Sequence, residues 1–114
     1  MAADAGLLLG WDRVVPGNDQ LAVELWQEML GYLRRLHAEG QVEKFEIVLL
    51  GAHGGKLNGF VLIRADQAHL DRIRNSQEFL VFNVRANKVL EGFLVVRTHF
   101  GDEVAQIMRL YATV

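Results

Sequence analysis

Runs of apolar residues typical of β-strands occur at four places in this chain. Residues 45–50 and 57–63 form two such runs, rich in β-branched and aromatic side chains, around a glycine-rich linker at residues 51–56. A short linker of this kind between two apolar runs predicts a β-hairpin. Further strands are expected over residues 7–15 and 88–100, one before the hairpin and one at the end of the pattern.

A long amphipathic helix is predicted between the first strand and the hairpin. Asn18 or Asp19 can cap it, because either side chain can accept a hydrogen bond from the free amides of the first turn. Apolar residues then recur at helical spacing to about Glu39 and form one apolar stripe. Gly40 follows and supplies a left-handed stop.

More helical segments are predicted after the hairpin. Asp66 can cap a short first piece and Ser76 a continuation, and Asn75-Ser76 can separate the two. A helical tail begins at about residue 101. Its apolar residues at helical spacing are Val104, Ile107, Met108 and Tyr111.

The order of these elements indicates an α+β fold. Strand, helix, strand, strand, helix, strand (β-α-β-β-α-β) is the split βαβ arrangement of the ferredoxin-like fold, with an antiparallel sheet of four strands and two covering helices. The chain of 114 residues is expected to form a single domain of this kind over residues 1–114, with the helical tail at its end.

Both faces of the predicted sheet are apolar at the centre and polar at the ends. Right-handed crossovers place both helices on one face and leave the other face, here called the open face, uncovered. An exposed apolar surface of this size is unusual for a monomer, so a second copy of the chain is the expected cover. The residues expected on the open face are Val48, Leu50, Phe60, Leu62, Phe93 and Val95.

Composition and charge narrow the function classes. The chain is 51% apolar and 23% charged, which is not the composition of a disordered protein. Its net charge is −2 with both signs interspersed, so no nucleic-acid partner is expected. The chain has no cysteine, and therefore no disulfide or cysteine-ligated zinc. Its start does not resemble a signal peptide and no run is long enough to span a membrane, so we expect a cytoplasmic protein with no membrane partner.

Three short motifs resemble a known superfamily. They are the Gly10-Trp11 strand, the Ala52-His-Gly-Gly55 loop and the Leu57-Asn-Gly-Phe60 strand. Together with the element order and the doubly apolar sheet, they resemble small bacterial proteins of the dimeric α/β-barrel superfamily, in the neighbourhood of the YCII-related and antibiotic-biosynthesis-monooxygenase-like groups. The resemblance implies two ferredoxin-like sheets packed face to face in a homodimer. Similar proteins include cofactor-free monooxygenases, lactone isomerases and haem-degrading enzymes, but the motifs place none of their catalytic residues on this chain.

Histidines are the candidates for acid–base chemistry. His99 shares its predicted strand face with Arg97 and could reach a barrel mouth, where a neutral imidazole would handle a proton; alternatively it is a polar strand-end residue that faces water. His53, in the glycine-rich loop, is the second catalytic candidate. The histidines have no close ligand spacing, so no metal site is predicted. The loop lacks the hydroxyl residue of a phosphate-binding P-loop, because Leu57 occupies that position.

Four residues are candidates for ligand binding. Arg64 and Arg97 each end an apolar alternation and could clamp a carboxylate; alternatively they pair with Glu46 or with a partner subunit. Glu46 begins such an alternation and is the acidic candidate. Trp11 either lines a pocket or packs in the core.

Two function hypotheses follow. In the first, the protein binds or converts a small organic molecule, apolar with a carboxylate or carbonyl group, in a cavity between sheet and helices or between two sheets. No cofactor is predicted. In the second, it is a non-catalytic dimeric module with a ligand-binding or regulatory role. No residue spacing specifies a reaction, so whether the protein is an enzyme stays open.

Overall fold

The structure is a computed structural model and describes residues 5–114. Residues 1–4, part of the segment that lacks the pattern of a signal peptide, lie outside the described residues. In chain order the elements are β1 Ala5–Trp11, β2 Arg13–Val14, α1 Asp19–Ala38, β3 Lys44–Leu49, β4 Gly59–Ala65, α2 Gln67–Asn75, α3 Gln77–Val89, β5 Leu90–Glu91, β6 Leu94–Thr98 and α4 Asp102–Thr113.

Four of the strands form one antiparallel sheet in the order β3-β4-β1-β6. The first strand therefore lies in the centre, between β4 and β6, and β3 and β6 are the edges. This is the ferredoxin-like topology, and the predicted α+β fold with its hairpin is confirmed. The short strands β2 and β5 pair with each other in a separate two-stranded ribbon.

Helix α1 follows from its local sequence. Its apolar stripe buries Leu25, Met29, Leu33 and Leu36 at spacings of three and four residues. Gly40 ends it with a positive φ of 76°, a conformation that costs glycine little because it has no Cβ. The predicted side-chain cap is absent: the Asn18 amide instead donates to the Lys88 carbonyl at 3.4 Å, which ties the start of α1 to the end of α3.

The two predicted caps after the hairpin are confirmed. The Asp66 carboxylate accepts from the backbone N–H of His69 at 2.9 Å, and the Ser76 hydroxyl accepts from the backbone N–H of Phe79 at 3.2 Å. Ser76 also donates to the Ile73 carbonyl at 2.7 Å, so it closes α2 while it begins α3.

The ends of the first and last predicted strands were wrong. Helix α3 continues to Val89, and Gly92, with a φ of 65°, turns the chain between β5 and β6. The first strand likewise ends at Trp11, before β2. The cause is the β2–β5 ribbon, whose two halves pair across the molecule and draw both segments away from the main sheet.

One face of the sheet carries the core, and we call it the covered face. Leu7 and Leu9 of β1 lie beside Ile63 and Val61 of β4 on this face and are almost completely buried. The helices add the other fully or nearly fully buried side chains, among them Leu33, Leu70 and Phe79.

The opposite, open face has no helix over it. On this face Leu8 of β1 lies between Leu62 of β4 and Val96 of β6. The expected positions of Val48, Phe60 and Leu62 on this face are confirmed by the strand register. The placement of Phe93 and Val95 there was wrong: both pack against the core on the covered side, and Leu94 and Val96 take the open side. A strand shifted by one position exchanges its two faces, and the Gly92 turn sets that position here. Leu50 follows the end of β3 and is 36% exposed.

The predicted helical tail is helix α4. None of its residues is buried, and Met108, Leu110 and Tyr111 are among the most exposed large apolar side chains of the described chain. None of the helices in residues 5–114 combines the length and apolarity that a membrane crossing requires.

Candidate functional site

A cavity of about 470 Å³ lies between the covered face and the first half of α1. The sheet contributes Leu9, Trp11, Leu49, Val61 and Phe93 to its wall. Helix α1 contributes Asp19, Ala22, Val23, Leu25, Trp26 and Met29, and Val14, Ala86 and Leu90 close the remaining side. The volume falls within the range of small-molecule sites in proteins, about 300–1,000 Å³.

The two tryptophans of the chain meet in this cavity. Their ring centroids are 5.6 Å apart and the planes are inclined by 68°, an edge-to-face arrangement that aromatic pairs prefer. Gly59 lies opposite Trp11 across the β1–β4 ladder, and a Cβ at Gly59 would lie 2.6 Å from the Trp11 ring atom Cζ2. The absence of a side chain at position 59 therefore lets the Trp11 indole lie directly on the sheet.

Hydrogen bonds from Asn58 to Trp11 and Asp12 hold this end of β1 in place. The Trp11 carbonyl accepts from the Asn58 backbone N–H at 2.9 Å. The Asn58 side-chain amide donates to the backbone carbonyl of Asp12 at 2.7 Å and to the Asp12 carboxylate at 2.8 Å. These contacts couple the turn after β1 to the residue before β4, so the cavity wall has a defined shape.

The mouth of the cavity lies where its lining side chains are exposed. Leu49 is 72% exposed, Val23 is 50% exposed, and Asp19 is also exposed. The ribbon beside the mouth is held by a hydrogen bond from the Val15 N–H to the Val89 carbonyl at 2.8 Å and by the ion pair of Arg13 with Glu91. Among the described residues of the lining, Asp19 is the one with an ionisable side chain.

Trp11 is the predicted site residue that lies in this cavity. Both alternatives considered for it apply, since it lines the cavity and also packs against the core. Trp26, Gly59 and Asp19 also lie at this cavity, and none of the three was predicted there from the sequence. The spacing of Asp19, Ala22, Val23 and Trp26 is a helical signal that places all four on one stripe of α1.

His99 and Arg97 meet at the start of α4, not at the cavity. His99 Nδ1 lies 2.7 Å from one carboxylate oxygen of Glu103, and Arg97 Nη2 donates to the other at 2.9 Å. The hydrogen bond from His99 and the charge of Arg97 lower the pKa of Glu103 below its ordinary value. The acid–base role predicted for His99 stays a prediction.

His53 organises the glycine-rich loop. Its Nδ1 accepts from the Gly55 N–H at 3.0 Å, so Nε2, 2.6 Å from the Leu57 carbonyl, carries the proton and donates. Both ring nitrogens are thus used within the loop. The catalytic role predicted for His53 stays a prediction.

Arg64 and Glu46 lie on the open face, away from the cavity. The Arg64 guanidinium stacks over the Phe100 ring at 4.0 Å from its centroid. Glu46 is exposed on β3 and lies opposite Leu62 of β4. Two residues earlier on the same face of β3, Lys44 lies opposite Arg64. The ligand-binding roles predicted for Arg64, Arg97 and Glu46 stay predictions, because the structure brings none of these three to the wall of the cavity.

Acidic and histidine side chains do not gather into a metal site in the described part of the chain. Within residues 5–114, no three such side chains lie close enough to hold an ion. The cavity therefore offers apolar surface, two indole rings and one carboxylate.

Comparison with known sequences gives no family for this chain. No protein-family model matches it, and no curated protein matches it.

Solved structures with the same fold are similar to this chain at low sequence identity. A DABB family protein with a ferredoxin-like fold from Mesorhizobium loti superposes with a TM-score of 0.66 at 15% identity, over 87% of this chain and 99% of that one. The hydroxynitrile lyase from Passiflora edulis gives 0.67 at 10% identity, over 87% and 95%. A dimeric protein of unknown function with a ferredoxin-like fold from Bacteroides fragilis gives 0.60 at 12% identity, over 84% and 95%. These likenesses establish the ferredoxin-like fold and leave the activity open.

Proposed function

We propose that this protein binds a small, mainly apolar organic molecule in the cavity between the covered face and α1. The observation that carries the proposal is a cavity of about 470 Å³ that opens to solvent at its mouth and is lined by both tryptophans and by aliphatic side chains. Apolar sites with a few polar groups at one end are typical ligand sites.

Binding without catalysis is the function that these contacts favour. The candidate acid–base groups His99 and His53 have partners elsewhere, in the Glu103 cluster and the glycine-rich loop. Asp19 is the one described side chain in the lining that could exchange a proton, and it lies at the mouth. A ligand-binding or regulatory module accounts for this distribution without assigning a reaction.

The two tryptophans make the cavity directly measurable. Both line it and the chain contains no others, so intrinsic fluorescence reports occupancy. We expect 1-naphthalenemethanol, a neutral bicyclic probe, to change the tryptophan emission in a saturable manner. Isothermal titration calorimetry should return a dissociation constant in agreement with the fluorescence.

A cavity-filling variant separates specific binding from surface adsorption. In Ala22→Phe the new ring occupies space beside Trp26, and binding should weaken at least tenfold. The matched control is Ala68→Phe, which adds the same ring to an exposed position on α2. Equal binding by the two variants, or no saturable signal in the parent protein, would refute the proposed function.

We also propose a homodimer formed through the open face. Its partly or largely exposed apolar side chains are Leu8, Val48, Phe60, Leu62, Leu94 and Val96. Burying such a side chain completely is worth about 1.5–3 kcal/mol, and about half as much when half of it is already covered. Two similar ferredoxin-like structures, from Bacteroides fragilis and Thermobifida fusca, are described as dimeric, which supports the same assembly here.

The charges at one end of the open face suit a two-fold contact. Lys44 and Arg64 lie opposite each other on β3 and β4, and Glu46 follows on the same face. A two-fold interface pairs residue i of one copy with residue j of the other and j with i, so a face that carries both charge signs can form complementary contacts. The exposed apolar stripe of α4 (Val104, Ile107, Met108, Tyr111) begins beside this face, and we propose that the partner covers it as well.

A cytoplasmic location is part of the same proposal. It rests on the composition of the sequence, with no cysteine among its 114 residues. Cell fractionation with detection of the native protein would test it.

A further inference from the structure

The acidic side chain in the cavity wall indicates which ligand charge the cavity favours. We propose that the cavity takes an aromatic molecule that carries a positively charged nitrogen, and that Asp19 selects this charge; the inference rests on the proposed ligand-binding function. A carboxylate-bearing ligand would need a basic side chain beside the apolar wall. The described lining has an acidic one there instead.

The position of Asp19 matches such a ligand. Asp19 is the first residue of α1, and Ala22, Val23 and Trp26 follow on the same stripe of the helix and in the same cavity wall. Seven residues of helix span about 10 Å. A ring system that stacks near Trp26 and Trp11 could therefore place a cationic group beside the carboxylate at the mouth.

The amino end of α1 and the Asp19 carboxylate carry opposite charges at the mouth of the cavity, and the larger charge sets the sign of the electrostatic potential there. The amino end of α1 carries a partial charge of about +0.5 from its free N–H groups, which favours anions. The Asp19 carboxylate carries a full negative charge in the same place, so the sum is negative. The faces of the indole rings also attract cations.

Basic side chains do not belong to the described cavity wall, and this includes Lys88, whose backbone carbonyl accepts from the Asn18 amide next to Asp19. Arg13, on the ribbon, is neutralised by Glu91, with 2.5 Å between Nε and the carboxylate. Arg64 stacks on Phe100 on the open face, and Arg97 is bound to Glu103. None of these three side chains is part of the cavity wall.

Three naphthalene probes of similar size test the proposal. They are 1-naphthylmethylamine, which is cationic at neutral pH, 1-naphthalenemethanol, which is neutral, and 1-naphthoate, which is anionic. Calorimetry and tryptophan fluorescence should rank them in that order. The ammonium probe should bind about tenfold tighter than the carboxylate, with a preference that shrinks as salt is added.

The variant Asp19→Asn should remove the preference and leave the cavity intact. Affinity for the ammonium probe should fall about twofold to fivefold, the range for an exposed ion pair, while affinity for the alcohol stays unchanged. Asp102→Asn is the matched control, since Asp102 is likewise the first residue of an exposed helix end but belongs to α4. Thermal unfolding of both variants verifies that each is folded.

The possible results separate the two claims. If the alcohol binds and the carboxylate binds as tightly as the ammonium probe, the charge assignment is wrong and the cavity stands. The charge assignment is also wrong if Asp19→Asn and Asp102→Asn weaken the ammonium probe equally. If none of the three probes binds, the proposed function itself fails.

Discussion

The two faces of the central sheet have nearly the same composition and different structural roles. On β1, Leu7 points to the covered face and is 1% exposed, whereas its neighbour Leu8 points to the open face and remains partly exposed. Leu8 lies opposite Leu62 on β4 and Val96 on β6, and Leu7 lies opposite Ile63 on β4 and Arg97 on β6. Side-chain type alone therefore does not separate core from interface; the helices over one face make the difference.

The two faces also differ in the kind of binding surface that they offer. The covered face carries the cavity beside Trp11 and Trp26, which opens to solvent at its mouth. The open face carries an apolar centre with charged side chains at one end. A cavity lined by apolar side chains indicates a small ligand, and an uncovered apolar face indicates a large partner.

The largest expected effect compares the two adjacent leucines of β1. Leu7→Ala should lower the free energy of unfolding by about 2–5 kcal/mol, because it leaves a void in a buried site. Leu8→Ala should cost about 1 kcal/mol in the monomer, since Leu8 is already partly exposed. Urea unfolding at low protein concentration measures both. Equal losses would mean that the faces do not differ in packing.

The second prediction addresses the open face as an interface. Val96→Glu places a charge beside Leu8 in the proposed contact and should raise the dimer dissociation constant at least a hundredfold, about 3 kcal/mol. Val84→Glu, at a position 58% exposed on α3, is the matched control and should leave the dimer unchanged. Analytical ultracentrifugation gives both constants. If Val84→Glu dissociates the dimer and Val96→Glu does not, the interface lies on the helical layer instead.

The third prediction concerns the cavity wall of the covered face. Gly59→Ala forces Trp11 off the sheet, because the new Cβ would lie 2.6 Å from the ring. The cost should be about 1–3 kcal/mol, with a shifted tryptophan emission and weaker probe binding. Gly31→Ala, on the exposed side of α1 with nothing within 4 Å, should be neutral or stabilise by up to about 1 kcal/mol. An unchanged emission in Gly59→Ala would contradict the described position of Trp11.

The smallest effect is expected where β6 passes into α4. The pKa of Glu103 is lowered first by the hydrogen bond from His99 and then by the charge of Arg97. A carboxyl whose folded-state pKa lies below its unfolded value contributes stability above the unfolded pKa and loses it as the pH falls through the folded value. Acid should therefore loosen the start of α4.

Carbon-detected NMR titration of the Glu103 carboxyl measures this pKa. His99→Ala should raise it toward the ordinary value for glutamate. Glu28, whose pKa is lowered by Arg85, provides the internal control and should not move. A Glu103 titration that is the same with and without His99 would show that the histidine does not hold this carboxylate.

Much of the fold could be predicted because its signals are local. The stripe of α1, the stop at Gly40 and the caps at Asp66 and Ser76 depend on residues three to four positions apart, and all of these predictions hold. The cap at Asn18 failed because a distant group, the Lys88 carbonyl, attracts its side chain. Competition from a residue 70 positions away leaves no trace in a local pattern.

The face assignment of β6 shows the limit of alternation. Alternation correctly separated Phe93 and Val95 from Leu94 and Val96. It could not fix which pair joins Leu62 on the open face, because a shift of one residue exchanges the faces. The Gly92 turn and the register with β1 decide that question.

Some features of the fold and the candidate site follow from the local sequence, and others arise only from tertiary contacts. The sequence by itself determined the order of the four main strands and the helices, the caps at Asp66 and Ser76, the stop at Gly40 and a sheet that is apolar on both faces, because these follow from local patterns with periods of two and of three to four residues. The tertiary structure decided that Trp11 meets Trp26, that Asn58 holds Asp12 from 46 positions away, and that His99 turns to Glu103. A cavity is the space left by packing of distant segments, and no local period encodes it.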